Sequence, residues 1–410
     1  MAALVAGYAR TPFTKFTGKL AGQPATVLGA HAATAALERA GVSVGDVDLV
    51  VAGQVLQAGA GQNPARQSAV AAGVSMDVPA ITLNAVCLSG TEAVSQAARV
   101  IAAGEADVVL AIGQESMSLA PHVAPLRAGV KYGDATFVDT VDHDGLSDAF
   151  DQVAMGALTE QGNAPRKLTR EEQDAFAAAS HQRAAASREF LAEEIAPFTV
   201  SSRKGDTVVD ADDGVRPDTT AESLASLRPA FAKDGTITAG NASQITDGAA
   251  ALVIVSEAAA ERLGLKPLAK IEATAFVAGP DNHLHSQPSR AISAALAKVE
   301  GATAADLAAV EINEAFAAVG VQSTRDLGID PEIVNQHGGA IALGHPIGAS
   351  GARIVGTLAR QLQAAGAGSL GAVGICGGGG QGSAVVLRAL SVLRPSAGRP
   401  IGPGEGDFGA

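Results

Sequence analysis

Short runs of β-branched and aliphatic residues alternate along the chain with longer alanine-rich stretches. Residues 47–53 (VDLVVAG), 80–86 (AITLNAV) and 107–113 (DVVLAIG) are mostly apolar, rich in β-branched residues and too short for helices, so they read as buried strands. Residues 26–41, 62–72 and 90–103 read as the helices between them. The alternation returns later, with strands at 250–256, 308–313 and 371–376 and helices near 288–300 and 349–365. Strands and helices in alternation predict an α/β fold.

The two stretches also match in detail. Gly41, Asp46 and Val50 of GVSVGDVDLV reappear as Gly301, Asp306 and Val310 of GATAADLAAV. At nearly the same displacement, Cys87 and Gly90 of CLSG match His345 and Gly348 of HPIG. Two related half-domains follow, each with one strand-to-helix turn carrying a reactive residue. Residues 118–248 break the pattern: they hold a charged loop at 131–150 and a long helix opened by Thr169 and Glu172 in capping-box spacing. They read as an insertion carried by the first half. The expected division is an N-terminal half over 1–117 with part of 240–260, an inserted loop domain over 118–248 and a C-terminal half over 249–390. A Gly- and Pro-rich tail over 391–410 is expected to be flexible.

Composition narrows the classes. A hydrophobic fraction of 47% with 17% charged residues describes a packed globular chain rather than a disordered one. The net charge of -13 disfavours nucleic acid, and an anionic ligand would need a local cluster of cations. No apolar run reaches membrane-spanning length, no leader pattern opens the chain and no targeting tripeptide ends it, so a cytoplasmic location with no membrane partner is expected. Two cysteines cannot build a disulfide framework, and neither has a partner at metal-ligand spacing, so no metal is expected.

Their positions therefore carry the interest. Cys87 follows a strand and precedes a helix, where free amides and the helix dipole favour thiolate; a small buried core residue is the structural alternative. His345 sits in a Gly-His-Pro turn flanked by glycines that let backbone and ligand approach closely. Cys376 ends a strand and opens the glycine turn 377–382, whose amides can face an oxyanion. All three lie at the C-terminal ends of expected strands, where α/β sheets place their sites. His31, His181, His283 and His285 fall in helices or a loop and read as structural.

With these residues in place, the chain resembles the thiolase family. The blocks 61-GQNPARQ-67, 84-NAVCLSG-90, 115-ESMSLAPH-122, 239-AGNASQITDGAA-250, 313-NEAFAA-318, 338-GGAIALGHPIGASGAR-353 and 376-CGGGGQG-382 stand in family order over residues 1 to about 390. The resemblance implies a thiolase-like fold of two half-domains in layered helix-sheet packing. It implies acyl transfer between coenzyme A thioesters in fatty acid metabolism, with coenzyme A as substrate and no cofactor. Residue by residue, it implies Cys87 as the acylated nucleophile, His345 as its base and Cys376 as the acid and base at the α-carbon. Asn313 would hold a water in one oxyanion hole, and the amides of Cys87 and Gly378 would form the other. Ser243, Arg216, Met155, Ala315 and Phe316 would line the coenzyme A site. The loop 131–150 resembles a tetramerisation loop, implying a dimer of dimers.

The chain departs from the family pattern at three positions. Ala154 stands where histidine is frequent before Met-Gly, His337 where asparagine or a small residue is frequent, and Gly377 where an aliphatic is frequent. The first puts the polarity and size of the acyl pocket in question; the second tunes the site or makes a structural hydrogen bond. Two alternatives stay open: a decarboxylating 3-ketoacyl synthase, which typically pairs its cysteine with two histidines or a histidine and an asparagine, and a non-catalytic homologue. Cys376 speaks against the first and the presence of all three reactive residues against the second.

Overall fold

The computed structural model describes residues 1–390, so the expected flexible tail lies outside the described residues. In chain order the main strands are β1 (Ala3–Arg10), β2 (Leu49–Gly53), β3 (Ala80–Leu83), β4 (Val108–Glu115), β5 (Thr246–Ser256), β6 (Ala269–Ala278), β7 (Leu307–Ile312), β8 (Leu370–Gly377) and β9 (Gln381–Ala389). The helices that matter here are α1 (Ala25–Ala40), α2 (Pro64–Ala71), α3 (Ser89–Ala103), α4 (Met155–Asn163), α5 (Arg170–Ala186), α6 (Gln287–Leu296), α7 (Ala317–Leu327) and α8 (Ser350–Ala365).

Hydrogen bonding follows the order β7-β8-β9-β6-β1-β5-β4-β2-β3. The link between β1 and β6 is short, running only from Ala3–Val5 to Ala269–Ile271, and it joins two halves of the same design. In the first, β1 and β5 are antiparallel, β5 and β4 antiparallel, β4 and β2 parallel. In the second, β6 and β9 are antiparallel, β9 and β8 antiparallel, β8 and β7 parallel. Four strands of each half share one topology, and β3 adds a fifth to the first.

Alternate side chains of these strands feed different cores, which is why the strands read as mostly apolar. Val108, Leu110 and Ile112 of β4 join α1 and α2 on one face, while Val109 and Ala111 join α3 and α8 on the other. In the second half, Leu370 and Ala372 of β8 meet α6, and Val373 and Ile375 meet the shared α3–α8 layer. The result is helix, sheet, helices, sheet, helix, with α3 and α8 in the middle.

Those two central helices touch backbone to backbone. A Cβ on Gly90 would lie 2.5 Å from the Ala352 nitrogen, and one on Gly351 would lie 2.2 Å from the Thr91 nitrogen. Only glycine permits this approach. Because each helix begins just after a turn bearing Cys87 or His345, the close crossing brings those turns together.

The run 250–256, grouped in the sequence with the strands of the second half although part of 240–260 is expected to join the first, belongs to the first. It is the end of β5, paired with β1 and β4 throughout. Apolar patterning signals a buried strand without saying which strands accept its hydrogen bonds. The run 80–86 is a strand only to Leu83; Asn84–Val86 form the turn that carries Cys87.

Residues 116 to 245 leave the sheet and return between two directly paired strands, since Glu115 lies opposite Gly248. In the second half the equivalent hairpin, β8 to β9, closes through Gly378, Gly379 and Gly380 alone. The inserted segment contains α4 and α5, and Thr169 and Glu172 make the capping box expected of them. Arg10 buckles it to the sheet: the buried guanidinium donates to Glu194 Oε2 at 3.0 Å and to Asp212 at 2.7 and 2.8 Å. No described helix is long and apolar enough to cross a membrane.

Candidate active site

The turn before α3 is built to present Cys87. Val86 adopts φ +52, a left-handed conformation that a β-branched residue rarely takes. Its amide donates to Asn84 Oδ1 at 2.9 Å and its carbonyl accepts from Ser89 Oγ at 2.6 Å, so local hydrogen bonds hold the strained turn. Cys87 is partly exposed as a residue, yet burial pushes its thiol up to about 12; nearby Glu115 acts in the same direction, and the amides of Cys87 itself and Gly378 act against it. The helix terminus that favours thiolate in the sequence reading is thus outweighed by desolvation.

The matching turn before α8 presents His345. Its backbone N–H is shared between the Gln244 carbonyl and Thr246 Oγ1, both at 3.1 Å. Nδ1 lies 2.6 Å from Ser350 Oγ and 3.5 Å from Asn313 Nδ2. Nε2 is buried and has no partner among the described residues. Burial, reinforced by Arg353, lowers the imidazole to about 3, so the ring is a neutral base at physiological pH. Cys376, at the end of β8, is buried; desolvation and the neighbouring Cys87 sulfur both raise its thiol.

Cys87, His345, Cys376 and Gly378 line a single cavity of about 60 Å³ together with Met155, Ser243, Ala315 and Phe316. A larger channel of about 520 Å³ shares Met155, Ser243, Phe316 and His345 with it, and adds Arg216 and Ala154. Two backbone bonds fasten its walls: Ser243 N to the Ala315 carbonyl at 3.1 Å and Ala317 N to the Asn241 carbonyl at 2.9 Å. They join the segments 239–243 and 313–318.

Nine of the ten residues singled out from the sequence therefore face one cavity system, namely Cys87, His345, Cys376, Gly378, Ser243, Met155, Ala315, Phe316 and Arg216. Asn313 stands behind His345 without lining either space, and its Oδ1 is a buried acceptor with no protein partner. Glu314, its neighbour in sequence, is structural: it accepts from Ser180 Oγ, Asn335 Nδ2 and Ile341 N.

His337 also proves structural, bonded to Ser187 Oγ at 2.8 Å and stacked on Phe190 at 3.8 Å. His181 accepts the Arg216 N–H at 3.1 Å and so holds the segment that carries that arginine. Sequence reasoning missed Val86, Gly145, Leu146, Leu284 and Ile347, which complete the small cavity, and Ser350, which lay in view inside the GHPIGASG block. The turn bearing Leu146 is π-helical, Val141–Leu146, a form that recurs at functional sites.

Comparison with known proteins identifies the family. Residues 3–258 match the family described as "Thiolase, N-terminal domain" and residues 265–389 match "Thiolase, C-terminal domain". The chain is 56% identical to a probable acetyl-CoA acetyltransferase of Mycolicibacterium smegmatis, over 94% of this chain and 100% of that one. It is 48% identical to the acetyl-CoA acetyltransferases of Shinella zoogloeoides and Rhizobium meliloti, over 94% of this chain and 99% and 98% of theirs. A cavity that gathers both cysteines and the Gly-His-Pro histidine between two topologically equivalent halves, in a chain matched from residue 3 to 389, establishes that this protein belongs to the thiolase family.

Proposed function

We propose that this thiolase is an acetyl-CoA C-acetyltransferase that joins two acetyl-CoA into acetoacetyl-CoA and free coenzyme A, and cleaves 3-ketoacyl-CoA in reverse. The observation that carries the reading is the shared cavity of Cys87, His345, Cys376 and Gly378 at the foot of the larger channel. Its small volume suits an acetyl group, and the relatives named above are acetyl-CoA acetyltransferases.

The reaction begins from neutral groups. His345 Nε2 takes the Cys87 proton as sulfur attacks the thioester carbon; collapse expels coenzyme A thiolate, which takes the Cys376 proton. This leaves acetyl-Cys87, an imidazolium and a Cys376 thiolate, a pair whose opposite charges offset the cost of burying each. Cys376 then removes the α-proton of the second acetyl-CoA. His345 Nε2–H and a water on Asn313 hold the enolate oxygen while its carbon attacks the acetyl carbonyl. The amides of Cys87 and Gly378 receive the tetrahedral oxyanion, and the departing Cys87 sulfur recovers its proton from His345. Protons and bonds balance without another reagent.

Ser243, Arg216, Met155, Ala315 and Phe316 are proposed to line the coenzyme A path, with the inserted segment covering it. Arg216 would supply the local cation an anionic ligand needs on a chain of net charge -13. The enzyme is further proposed to serve fatty acid metabolism in the cytoplasm, which cell fractionation would check, and to assemble as a dimer of dimers.

Separating the two cysteines tests the mechanism. Cys87→Ala should take up no label from acetyl-CoA and fail in both directions. Cys376→Ala should still be labelled at Cys87 yet lose condensation by about 100- to 10,000-fold. Condensation near the parent rate by a folded Cys376→Ala protein would refute the assignment. The α-proton would then have to be removed by another base, such as a water.

A further inference from the structure

Glu115, the last residue of β4, is fully buried and carries no cationic partner among the described residues; its carboxylate is spent on backbone amides. Oε2 accepts from Val55 N at 3.0 Å and Gly348 N at 2.9 Å, and Oε1 accepts from Leu56 N at 3.1 Å. These amides belong to two separate segments. Gly348 lies in the turn that carries His345, while Val55 and Leu56 follow β2, where the Val55 carbonyl accepts from Asn84 Nδ2 at 3.4 Å. Asn84 in turn holds the amide of Val86, the strained residue before Cys87.

One carboxylate is thereby connected to both reactive residues, to His345 through Gly348 and to Cys87 through Val55, Asn84 and Val86. Its clients also wall the nucleophile: Val55, Leu56 and Ile347 pack as one apolar cluster against Cys87. Space at the junction is fully committed, since a Cβ on Gly348 would lie 2.7 Å from Glu115 Oε2. From this geometry we infer that Glu115 is a positioning residue for the reaction, setting the spacing of Cys87 and His345 by clamping one backbone segment of each.

The charge of Glu115 reinforces the role. Facing groups are few: Asp247 of β5 and Glu115 repel each other, the Cys87 thiol is held up by the carboxylate, and His345 stands neutral in the adjoining turn. Burial raises Glu115 itself to about 7 while its three amide donors pull it down.

The test rests on the cysteine mechanism proposed above, and Glu115→Gln is the decisive variant. Glutamine has the same size but one acceptor oxygen, so it can serve Val55 and Gly348 or Leu56, and its NH2 must face an N–H at the other position. Acetylation of Cys87 by acetyl-CoA should slow at least tenfold, with KM unchanged within twofold because Glu115 does not line the channel. The midpoint of Cys87 alkylation by iodoacetamide should move to lower pH, which a mere loss of packing would not cause. Acetylation within twofold of the parent, or an unmoved midpoint, overturns the inference. Should the variant not fold, hydrogen exchange in the parent decides: the Val55, Leu56 and Gly348 amides should be as protected as those of β4, and exchange as fast as the exposed 58–62 loop overturns it. Failure of the parent itself to be acetylated would instead sink the mechanism on which the inference rests.

Discussion

The free nitrogen of His345 is chosen by its neighbours. Ser350 Oγ lies 3.1 Å from the Pro346 carbonyl and 2.6 Å from Nδ1. With the hydroxyl proton donated to Pro346, its oxygen accepts Nδ1–H, and Nε2 keeps the lone pair that faces the cavity. Ser350→Ala removes that anchor, a hydrogen bond worth about 1–1.5 kcal/mol, so kcat for thiolysis should fall about tenfold with KM nearly unchanged. An unaltered kcat in steady-state assays would show that Ser350 does not set the tautomer, since the Asn313 Nδ2 donor facing Nδ1 cannot replace an acceptor there. At this scale the sequence exposed the reactive groups well, because His345 and Cys376 stand beside glycines and Cys87 precedes a helix. Of the three expected at strand ends only Cys376 is in one, since the strand before Cys87 stops at Leu83 and His345 follows the short helix Ala340–Leu343. It hid Leu146, Leu284 and Ile347. An aliphatic side chain that lines a cavity looks no different in sequence from one that fills a core, and only the path of the loops separates the two.

Among elements, the crossing of α3 and α8 does most to place the site. Gly90→Ala would press a methyl against the Ala352 backbone nitrogen, which cannot rotate away, so the helices must part. A loss of about 1–3 kcal/mol is expected from such overpacking, read as a lower denaturation midpoint, together with slower acetylation because the Cys87 and His345 turns move apart. A stable variant with parent activity would mean the helices can separate without disturbing the turns. The elements themselves were largely legible: α1, α3 and α8 fall close to their expected bounds, and strands buried on both faces show as mostly apolar runs. What escaped was pairing. β5 looks like any other buried strand, and its place in the first half depends on hydrogen bonds to β1 and β4 from distant parts of the chain.

At the scale of the whole molecule, unpaired surfaces bear on assembly. β3 ends the sheet with a free edge, Ile81 on it and Met76 before it are exposed, and Tyr132 and Phe137 on the charged loop, with Leu126 and Val130 just before it, stand in solvent. Apolar groups gathered at an edge and on a protruding loop suit contact with further copies. Light scattering should give four times the 40.7 kDa chain mass; a dimer would confine association to one of these surfaces, and a monomer would refute the proposal. The inserted segment has a different consequence. Since it departs and returns at neighbouring residues of one hairpin, while the sister hairpin closes with three glycines, the two catalytic turns form a symmetric engine and the insertion is an attachment bolted to one side of it. Its fastenings include Arg10 on Glu194 and Asp212 in the first half and Ser180 on Glu314 in the second. Exchanging the attachment for another of different shape would therefore redirect the engine to new thioesters without redesigning either sheet, provided the replacement meets Arg10 and Glu314 or those residues are exchanged with it.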